Sequence, residues 1–446
     1  MRVIIVGAGE VGYQVAKFLA YEGVDVVIID RDEDKLRRIA DELDIATIVA
    51  EGSDPSAFKE AGADNADLLI AVTNSDETNM IACLLGKAMF NIKRKIARIR
   101  NPDYFFNKEL LGKANLDIDP AINPELESAE AIAKLVENPF ASELIDFEQG
   151  KIMVIGFKIP KDSPIKDIKL KSVRAVLNRD FIVGVIERDE DVIVPSGEDF
   201  IREGDIVYIP LRKNEIYEVA KSLGFQVLAP KRVMIMGGGR IGYYVAQRLE
   251  TKYDVKVIEK DPERCKFLSK HLGKSLILQG DGADKNLLIE ENVSYNDIYI
   301  ACSNNDELNI MASLLAKKLG TKKAIALVNK IDYIPLAHNL GIQSVLCPRL
   351  ITASIILRYI RKGEVLSLTT FAENKAEIME VLVKKTAPIV GKALKEGFFP
   401  KNSILGVIIR NEKIITPRGE DFIKESDKLI IFALKESIKE VEKLIT

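Results

Sequence analysis

The chain alternates short, mainly apolar runs with longer segments whose apolar residues recur every three or four positions. In the first hundred residues, the short runs predict buried strands at 3–6, 26–29, 46–49 and 68–72. The segments between them predict helices, most clearly 12–21 and 35–42. Buried strands that alternate with helices are typical of a parallel sheet covered on both faces.

The same pattern occurs a second time, 230 residues later. Residues 2–19 and 232–249 are identical at 10 of 18 positions without a gap. The second copy predicts strands at 233–236, 255–258, 276–278 and 298–301. The similarity extends beyond the first strands, because Thr73, Asn74, Asp76 and Asn79 have the counterparts Ser303, Asn304, Asp306 and Asn309. The chain is therefore an internal duplication.

Each copy is followed by a smaller β-rich segment, at 151–226 and 376–446. Residues 194–209 and 416–431 agree at 9 of 16 positions, around a shared Pro-x-Gly-Glu-Asp-Phe-Ile turn. Helices that begin at Pro124 and Pro348 are expected to connect large and small segments. We therefore predict an α/β protein of two Rossmann-like, doubly wound parallel-sheet domains, each followed by a small α+β domain. The predicted boundaries are 1–122, 123–229, 230–347 and 348–446.

A glycine fingerprint opens each copy. Gly7, Gly9 and Gly12 have the G-x-G-x-x-G spacing of dinucleotide-binding turns, and Gly237, Gly239 and Gly242 repeat it. The first glycine permits a tight turn, the second lets the backbone approach a phosphate, and the third lets helix and strand pack closely. The amides at the start of the following helix favour a pyrophosphate.

An acidic residue follows each fingerprint at the distance expected for a ribose ligand. Asp30 lies 23 residues after Gly7, and Glu259 lies 22 residues after Gly237. Both come at the end of a predicted second strand, where a carboxylate can accept hydrogen bonds from the ribose hydroxyls. A negative charge there disfavours the 2′-phosphate of NADP, so NAD(H) or an adenine nucleotide is the expected ligand.

Polar residues at the ends of later strands extend the predicted sites. Thr73 and Asn74 follow the fourth strand, and Arg98 and Arg100 are predicted to share one face of the fifth. Arginines on an inner strand are costly unless they meet anions, which favours phosphate contact. Their counterparts are Leu327 and Asn329. We therefore expect the first site to accept more anionic ligands than the second, with Arg240 compensating in part.

Composition excludes several other classes of protein. The net charge is −3 and no block of Lys or Arg stands out, so nucleic acid is not an expected partner. No apolar stretch is long enough for a membrane span. The four cysteines are scattered, which predicts buried free thiols in a cytosolic protein and no metal site.

Features of an active enzyme are weak. The two histidines have no counterparts in the repeat; His271 is predicted to lie in a surface helix and His338 in a polar loop. The lysine of a P-loop is missing, and the adjacent acids Glu198 and Asp199 are interpreted as turn residues. We therefore expect no catalytic residues, with an NAD-dependent oxidoreductase as the alternative.

Taken together, these motifs resemble RCK (KTN) domains, and their tandem order resembles the TrkA family, the cytosolic subunits of Trk-type potassium uptake systems. The resemblance implies RCK-N and RCK-C domains twice over, a homo-oligomeric ring (dimer or tetramer), and a membrane-embedded Trk-type potassium transporter subunit as partner. It implies NAD(H) and ATP/ADP as regulatory ligands, and a peripheral place on the inner face of the membrane. An RCK regulator of a potassium channel or an antiporter is a further alternative.

The resemblance also implies which residues bind nucleotide. In the first site they are Gly7, Ala8, Gly9, Glu10, Val11, Asp30, Thr73, Asn74 and Arg98. In the second they are Gly237, Gly238, Gly239, Arg240, Ile241 and Glu259, with Ser303 and Asn304 as weaker candidates.

Overall fold

The structure is a computed structural model, which describes residues 1–21, 23–189, 191–226, 229–360, 365–371 and 375–445. The first parallel sheet has six strands: β1 (Arg2–Val6), β2 (Asp25–Asp30), β3 (Ala46–Val49), β4 (Leu68–Ala71), β5 (Arg94–Arg98) and β6 (Ala121–Ile122). Its helices are α1 (Glu10–Tyr21), α2 (Glu33–Glu42), α3 (Pro55–Glu60), α4 (Asp76–Ala88), α5 (Pro102–Phe105) and α6 (Lys108–Leu111).

Helix α7 (Pro124–Glu137) leads to the first small sheet. Asn123 caps this helix, because its side-chain oxygen accepts a hydrogen bond from the amide of Leu126 at 3.1 Å. The small module contains β7 (Glu143–Phe147), β8 (Ile152–Lys158), α8 (Leu170–Leu177), β9 (Val185–Arg188), β10 (Asp191–Ile193), β11 (Ile206–Arg212) and α9 (Ile216–Ser222).

The second half repeats this order of strands, with one α-helix fewer among the described residues of each module. Its parallel-sheet module contains β12 (Arg232–Met236), α10 (Arg240–Leu249), β13 (Asp254–Glu259), α11 (Pro262–His271), β14 (Leu276–Gln279), α12 (Lys285–Glu290), β15 (Ile298–Ala301), α13 (Asp306–Lys318), β16 (Lys323–Leu327), α14 (Tyr333–Asn339) and β17 (Ser344–Leu346). Helix α15 (Pro348–Ile360) follows, and the second small module contains β18 (Val365–Phe371), β19 (Ala376–Leu382), β20 (Ser403–Arg410), β21 (Lys413–Ile415), β22 (Lys428–Leu434) and α16 (Ile438–Ile445).

Both large sheets are parallel and have the same strand order. The order is β3-β2-β1-β4-β5-β6 in the first and β14-β13-β12-β15-β16-β17 in the second. In each sheet the order reverses beside the first strand, and open α/β sheets bind ligands at the carboxyl ends of the strands at such a point. The two small sheets are antiparallel and share one order too, β10-β9-β11-β8-β7 and β21-β20-β22-β19-β18. The predicted fold class is confirmed.

The connecting helices do not stay with their own halves. One compact unit contains residues 1–128 and 347–360, and the other contains 129–346 together with the described residues after 360. In the first unit, α15 packs along α1. In the second unit, Ile132 and Val136 of α7 belong to one apolar core with Val233 and Val245 of the second parallel-sheet module.

A basic side chain at the start of a strand contacts the end of each connecting helix. Arg94, at the start of β5, donates to the carbonyl oxygen of Tyr359 at 3.0 Å. Lys323, at the corresponding start of β16, donates to the carbonyl oxygens of Leu135 at 3.5 Å and Ala141 at 2.7 Å. A hydrogen-bond donor near a helix C-terminus satisfies carbonyl oxygens that have no intrahelical partner, so these contacts stabilise the docking of α15 and α7. Burial lowers the pKa of Lys323 to about 7, so this stabilisation comes from its hydrogen bonds more than from its charge.

The two small sheets share one hydrophobic cluster. Phe147 and Tyr208 of the first sheet and Ile378 and Phe432 of the second are among its buried members. Near its centre, the ring of Phe432 leaves no room for a Cβ atom on either of two equivalent glycines, Gly184 and Gly406, where a Cβ would lie 2.6 and 2.5 Å from the ring. The position that corresponds to Phe432 in the first module is Pro210. None of the helices in the described part of the chain is long and apolar enough to span a membrane.

A buried tyrosine joins two carboxyl groups in the first small sheet. The hydroxyl of Tyr208 lies 2.9 Å from Glu143 Oε2 and 3.2 Å from Glu187 Oε2. Because one hydroxyl has one hydrogen to donate, the second contact is favourable when a carboxyl group carries a proton. Burial raises the pKa of Glu143 to about 7, against a smaller lowering effect of the Tyr208 hydrogen bond.

This group makes the stability of the module depend on pH. The folded protein keeps the proton of Glu143 up to about pH 7, whereas the unfolded chain loses it near its ordinary pKa, so the stability that the raised pKa contributes is present in acid and lost as the pH rises. Relative to Glu143→Gln, the wild type is expected to lose stability between pH 5 and pH 8, by up to about 1.4 kcal/mol per pH unit. Thermal unfolding of both proteins at several pH values measures this difference. Glu198→Gln is the control, since Lys169 and Lys171 lower the pKa of that exposed carboxyl group and no loss of this sign is expected; equal pH profiles for wild type and Glu143→Gln would contradict the prediction.

Candidate functional site

The first glycine turn is packed tightly against the sheet at two of its three glycines. Gly7 has a φ of +112°, which glycine adopts at little cost, and its amide donates to the carbonyl oxygen of Ile29 at 2.8 Å. A Cβ on Gly12 would lie 1.9 Å from the carbonyl oxygen of Gly7, so α1 can approach β1 only without a side chain there. A Cβ on Gly9 would have no atom within 4 Å. The turn is therefore open at Gly9, where a phosphate would approach.

The second turn has the same geometry. Gly237 has a φ of +101°, and a Cβ on Gly242 would lie 1.9 Å from the carbonyl oxygen of Gly237. A Cβ on Gly239 would again have no atom within 4 Å. Helices α1 and α10 begin at Glu10 and Arg240, so the amides of these residues and of Val11 and Ile241 lie in the first turn of a helix, where no intrahelical acceptor exists. Both turns therefore present amides to an anion.

The acidic residues lie beside the turns and also hold them in shape. Asp30 accepts hydrogen bonds from the amides of Ala8 at 2.6 Å and Asp32 at 2.9 Å. Glu259 accepts the equivalent bonds from Gly238 at 2.6 Å and Asp261 at 2.9 Å. Each carboxylate oxygen has more than one lone pair, so these bonds leave acceptor capacity for a ribose. Asp30 and Glu259 lie at the ends of β2 and β13, as their spacing predicts, but their second, structural role was not expected from the sequence.

A buried asparagine ties together the ends of the fourth and fifth strands in each half. Asn79 accepts from the amide and hydroxyl of Thr73 at 2.9 and 2.8 Å and donates to the carbonyl oxygen of Arg98 at 2.8 Å. Asn309 makes the same bonds with Ser303 at 2.9 and 2.7 Å and with Leu327 at 2.8 Å. The hydroxyls of Thr73 and Ser303 thus have a structural partner at the sheet edge. Asn74 and Asn304 are exposed beside them.

The two arginines of the first half separate at the end of the fifth strand. Strand β5 ends at Arg98, so the prediction that Arg98 and Arg100 share one strand face is wrong. Beyond the strand, the Nε atom of Arg100 lies 3.0 Å from Glu125 Oε1, so a carboxylate already compensates this charge. Arg98 stays at the carboxyl edge, where its guanidinium donates to Asn74 Oδ1 at 3.4 Å. Of the two arginines, Arg98 is therefore the one that lies at the carboxyl edge of the sheet.

The second sheet edge has a different arrangement of charge. Leu327 is buried at the position of Arg98, and the side chain of Asn329 bonds to Asp306 at 3.0 Å. Arg264 of α11, which the sequence analysis did not identify, donates to the carbonyl oxygens of Gly238 at 2.6 Å and Gly239 at 3.2 Å. This side chain braces the second glycine turn and adds a positive charge beside it. Its counterpart in the first half is Lys35, which instead pairs with Asp32 at 2.8 Å.

The remaining candidates have structural roles. His271 lies in exposed α11 as predicted, but His338 lies in α14 and not in a loop; it is half-buried, and desolvation lowers its pKa. Apolar residues Ile334 and Ala337 of that helix pack into a core cluster, which the short polar segment did not indicate. Asp199 caps its turn through the amide of Ser196 at 2.7 Å. Within the described residues, no group of His, Cys, Asp or Glu is arranged to hold a metal ion.

The cysteines are free thiols. Cys83, Cys302 and Cys347 are buried, and Cys265 is partly exposed. Cys302 lies directly under the second glycine turn, 3.5 Å from the carbonyl oxygen of Gly237. Burial raises the pKa of this thiol to about 12, so it stays protonated at neutral pH.

Comparison with known proteins agrees with this geometry. The TrkA-N domain model matches residues 3–124 and 233–348, and the TrkA-C domain model matches 154–224 and 378–446. A Trk system potassium uptake protein TrkA from Azorhizobium caulinodans is 34% identical over the whole of this chain and 98% of its own length. The TrkA homolog 2 from Methanosarcina mazei is 36% identical over the full length of both proteins. The chain belongs to the TrkA family.

Solved structures place this TrkA-family chain among RCK folds. The GsuK channel bound to NAD superposes with a TM-score of 0.61, over all of this chain and 78% of the channel chain, at 16% identity. At that identity the likeness concerns the fold. The predicted resemblance is thereby confirmed, and the nucleotide-binding residues stay a prediction.

The charge difference between the two sheet edges gives a test on this TrkA-family chain. Arg98→Leu, which copies the second half, is expected to weaken ATP binding at the first site about 10-fold or more, because a hydrogen bond between charged groups contributes roughly 1.5–3 kcal/mol. NADH, whose two bridging phosphates carry one charge each, should be less affected. Titration calorimetry on the full chain with one turn blocked by Gly239→Ala measures both constants. Arg37→Gln, which removes an exposed arginine paired with Glu33 at 2.9 Å, is the control, and equal losses for ATP and NADH would contradict the assignment.

Proposed function

We propose that this chain is the regulatory subunit of a Trk-type potassium uptake system, which binds nucleotides and thereby controls a membrane-embedded potassium transporter subunit. The observation that carries the proposal is the pair of open glycine turns, each with a carboxylate beside it, in a chain that matches TrkA relatives from end to end. The relatives are named as potassium uptake proteins, and no features of the described site favour chemistry on a substrate. The subunit would act at the cytoplasmic face of the membrane.

The ligands we propose are NAD(H) and ATP or ADP. The glycine turns and helix amides suit the phosphates, and Asp30 and Glu259 suit the ribose. Arg98 favours a more highly charged nucleotide in the first site, whereas Leu327 favours NAD(H) in the second. A related RCK structure, the GsuK channel, has been solved with NAD bound.

The proposed mechanism is a shift between conformations of a ring of subunits. A ligand can shift such an equilibrium only by the difference in its affinity for the two states. The four proposed domains, 1–122, 123–229, 230–347 and 348–446, would provide the binding sites and the contacts between subunits. A change in ring geometry would then open or close the transporter.

Potassium flux in vesicles tests this proposal. The full chain is reconstituted with the Trk-type membrane subunit from the same genome, and flux is measured with ATP, ADP, NAD or NADH present. We expect flux to depend on nucleotide identity in the wild type and on far higher nucleotide concentrations in Gly9→Ala. Arg37→Gln should behave as wild type. Flux that is indifferent to every nucleotide, with the complex intact, would contradict regulation.

An absorbance measurement distinguishes the proposed regulatory function from the alternative, an NAD-dependent oxidoreductase. The absorbance of NADH at 340 nm is followed in the presence of the full chain and candidate carbonyl substrates. We expect NADH to be bound and not consumed. Sustained turnover that is abolished when Gly9→Ala and Gly239→Ala are combined would overturn the regulatory proposal in favour of an enzyme.

A further inference from the structure

Helix α15, which comes from the second half of the sequence, lies along the helix that begins the first nucleotide site. Both α1 and α15 belong to the unit formed by residues 1–128 and 347–360. Thr352, Ala353, Ile356 and Leu357 of α15 are buried. The C-terminal end of α15 is held at Tyr359 by Arg94. Its N-terminal end therefore lies near the carboxyl edge of the first sheet, where α1 begins.

An arginine at that end of α15 meets the first glycine turn. The Nη1 atom of Arg349 lies 3.1 Å from Oε2 of Glu10. Glu10 directly follows Gly9, the glycine at which the turn is open. The guanidinium of Arg349 therefore lies beside the side chain of the first residue after the open glycine.

The Glu10 carboxylate alone would oppose an anionic ligand there. Arg349 compensates this charge, and a guanidinium has five N–H donors, enough to serve a carboxylate and a phosphate oxygen together. The compensation matters most for a ligand with a free terminal phosphate, because the two bridging phosphates of NAD(H) carry only one charge each. In the sequence of the other half, Arg240 corresponds to Glu10 and Glu125 corresponds to Arg349. The two positions again hold one cation and one anion, but the signs are exchanged.

We propose that Arg349 is a specificity-determining residue of the first nucleotide site, which contacts the terminal phosphate of ATP or ADP. Since α15 connects the second parallel-sheet module with the second small module, the charge of the ligand in the first half then acts directly on an element of the second half. The inference rests on the proposed function, because it requires that the first turn binds a nucleotide.

Calorimetric titration of the full chain with ATP, ADP and NADH tests the inference. The second turn is blocked by Gly239→Ala in every protein, so that the first site is measured alone. Arg349→Gln is expected to weaken ATP and ADP binding about 10-fold or more and NADH binding by less than threefold. Glu10→Gln should strengthen ATP binding and change NADH little. Arg248→Gln, which removes an exposed arginine that pairs with Glu130 at 3.2 Å, is the matched control and should leave all three constants unchanged.

The outcomes separate the two claims. Equal weakening of ATP and NADH by Arg349→Gln, or no weakening, overturns the role of Arg349 and leaves the proposed function standing. A parent protein that binds none of the three nucleotides overturns both. Thermal unfolding of each variant reports a merely structural role, in which the melting temperature falls while the ratio of ATP to NADH affinity stays at the parent value.

Discussion

Gly9→Ala is expected to remove nucleotide binding from the first site while the protein stays folded. The Cβ atom would meet no protein atom within 4 Å and the backbone there is not left-handed, so the substitution costs the fold little. The same methyl group would occupy the space through which a phosphate reaches the amides of the turn. Losing two or more hydrogen bonds to a charged group weakens binding by about 100-fold or more.

Gly239→Ala is the matched change in the second turn, where a Cβ also meets nothing within 4 Å. Each single variant should retain one binding event in calorimetry, and the double variant should retain none. Unchanged stoichiometry in the double variant, with a normal thermal unfolding profile, would show that the ligand binds elsewhere.

The opposite result is expected from Gly12→Ala, three residues further along the same turn. Its Cβ atom would lie 1.9 Å from the carbonyl oxygen of Gly7, so α1 must move away from β1 and from the apolar side chains packed between them. Overpacking against backbone cannot be relieved by a rotamer change, and we expect a loss of about 3 kcal/mol or more in the free energy of unfolding.

Thermal and denaturant unfolding of Gly12→Ala beside Gly9→Ala measures this contrast between two substitutions that add the same methyl group. Gly242→Ala repeats the test, since its Cβ would lie 1.9 Å from the carbonyl oxygen of Gly237. Equal stability for Gly9→Ala and Gly12→Ala would mean that the turn relaxes at no cost, against the close helix–strand contact described above.

The parallel-sheet modules were predictable because their central strands are buried on both faces. Such strands are continuous apolar runs, and the predicted strand 298–301 coincides with β15, whose four residues are all buried. Element ends were less predictable. In the segment Ile96-Ala-Arg98-Ile-Arg100, the alternation of apolar and charged residues continues beyond Arg98, where β5 ends. The strand ends there because the amides of Arg100 and Asn101 donate to the carboxylate of Asp76 and not to a neighbouring strand. A contact so distant in sequence is not visible in local periodicity.

The candidate site was predictable where a residue type has a fixed place on the turn. The glycines, Asp30 and Glu259 are of this kind, because their spacing follows from strand and helix length. Arg264 and Arg349 were not predictable in this way, since each reaches the turn from another helix. Asn79 and Asn309 could have been noticed, because an asparagine is repeated at equivalent positions of the two halves. Their role could not be predicted, because a buried amide that links two strand ends has no characteristic spacing in sequence.

The two small modules contribute side chains of different size to the centre of the hydrophobic cluster that they share. This asymmetry affects which small modules can pair with each other. One phenylalanine, Phe432, fills the space against both Gly184 and Gly406, opposite the smaller Pro210. Two copies of the second module would bring two rings to that space, and two copies of the first would leave it unfilled. Self-association of like modules is thus disfavoured by shape alone, as in other cases where steric conflict rejects the wrong pairing. Because both small modules belong to one chain, each has a high effective concentration of the module that fits it. A single chain can therefore form the asymmetric pair of small modules by itself.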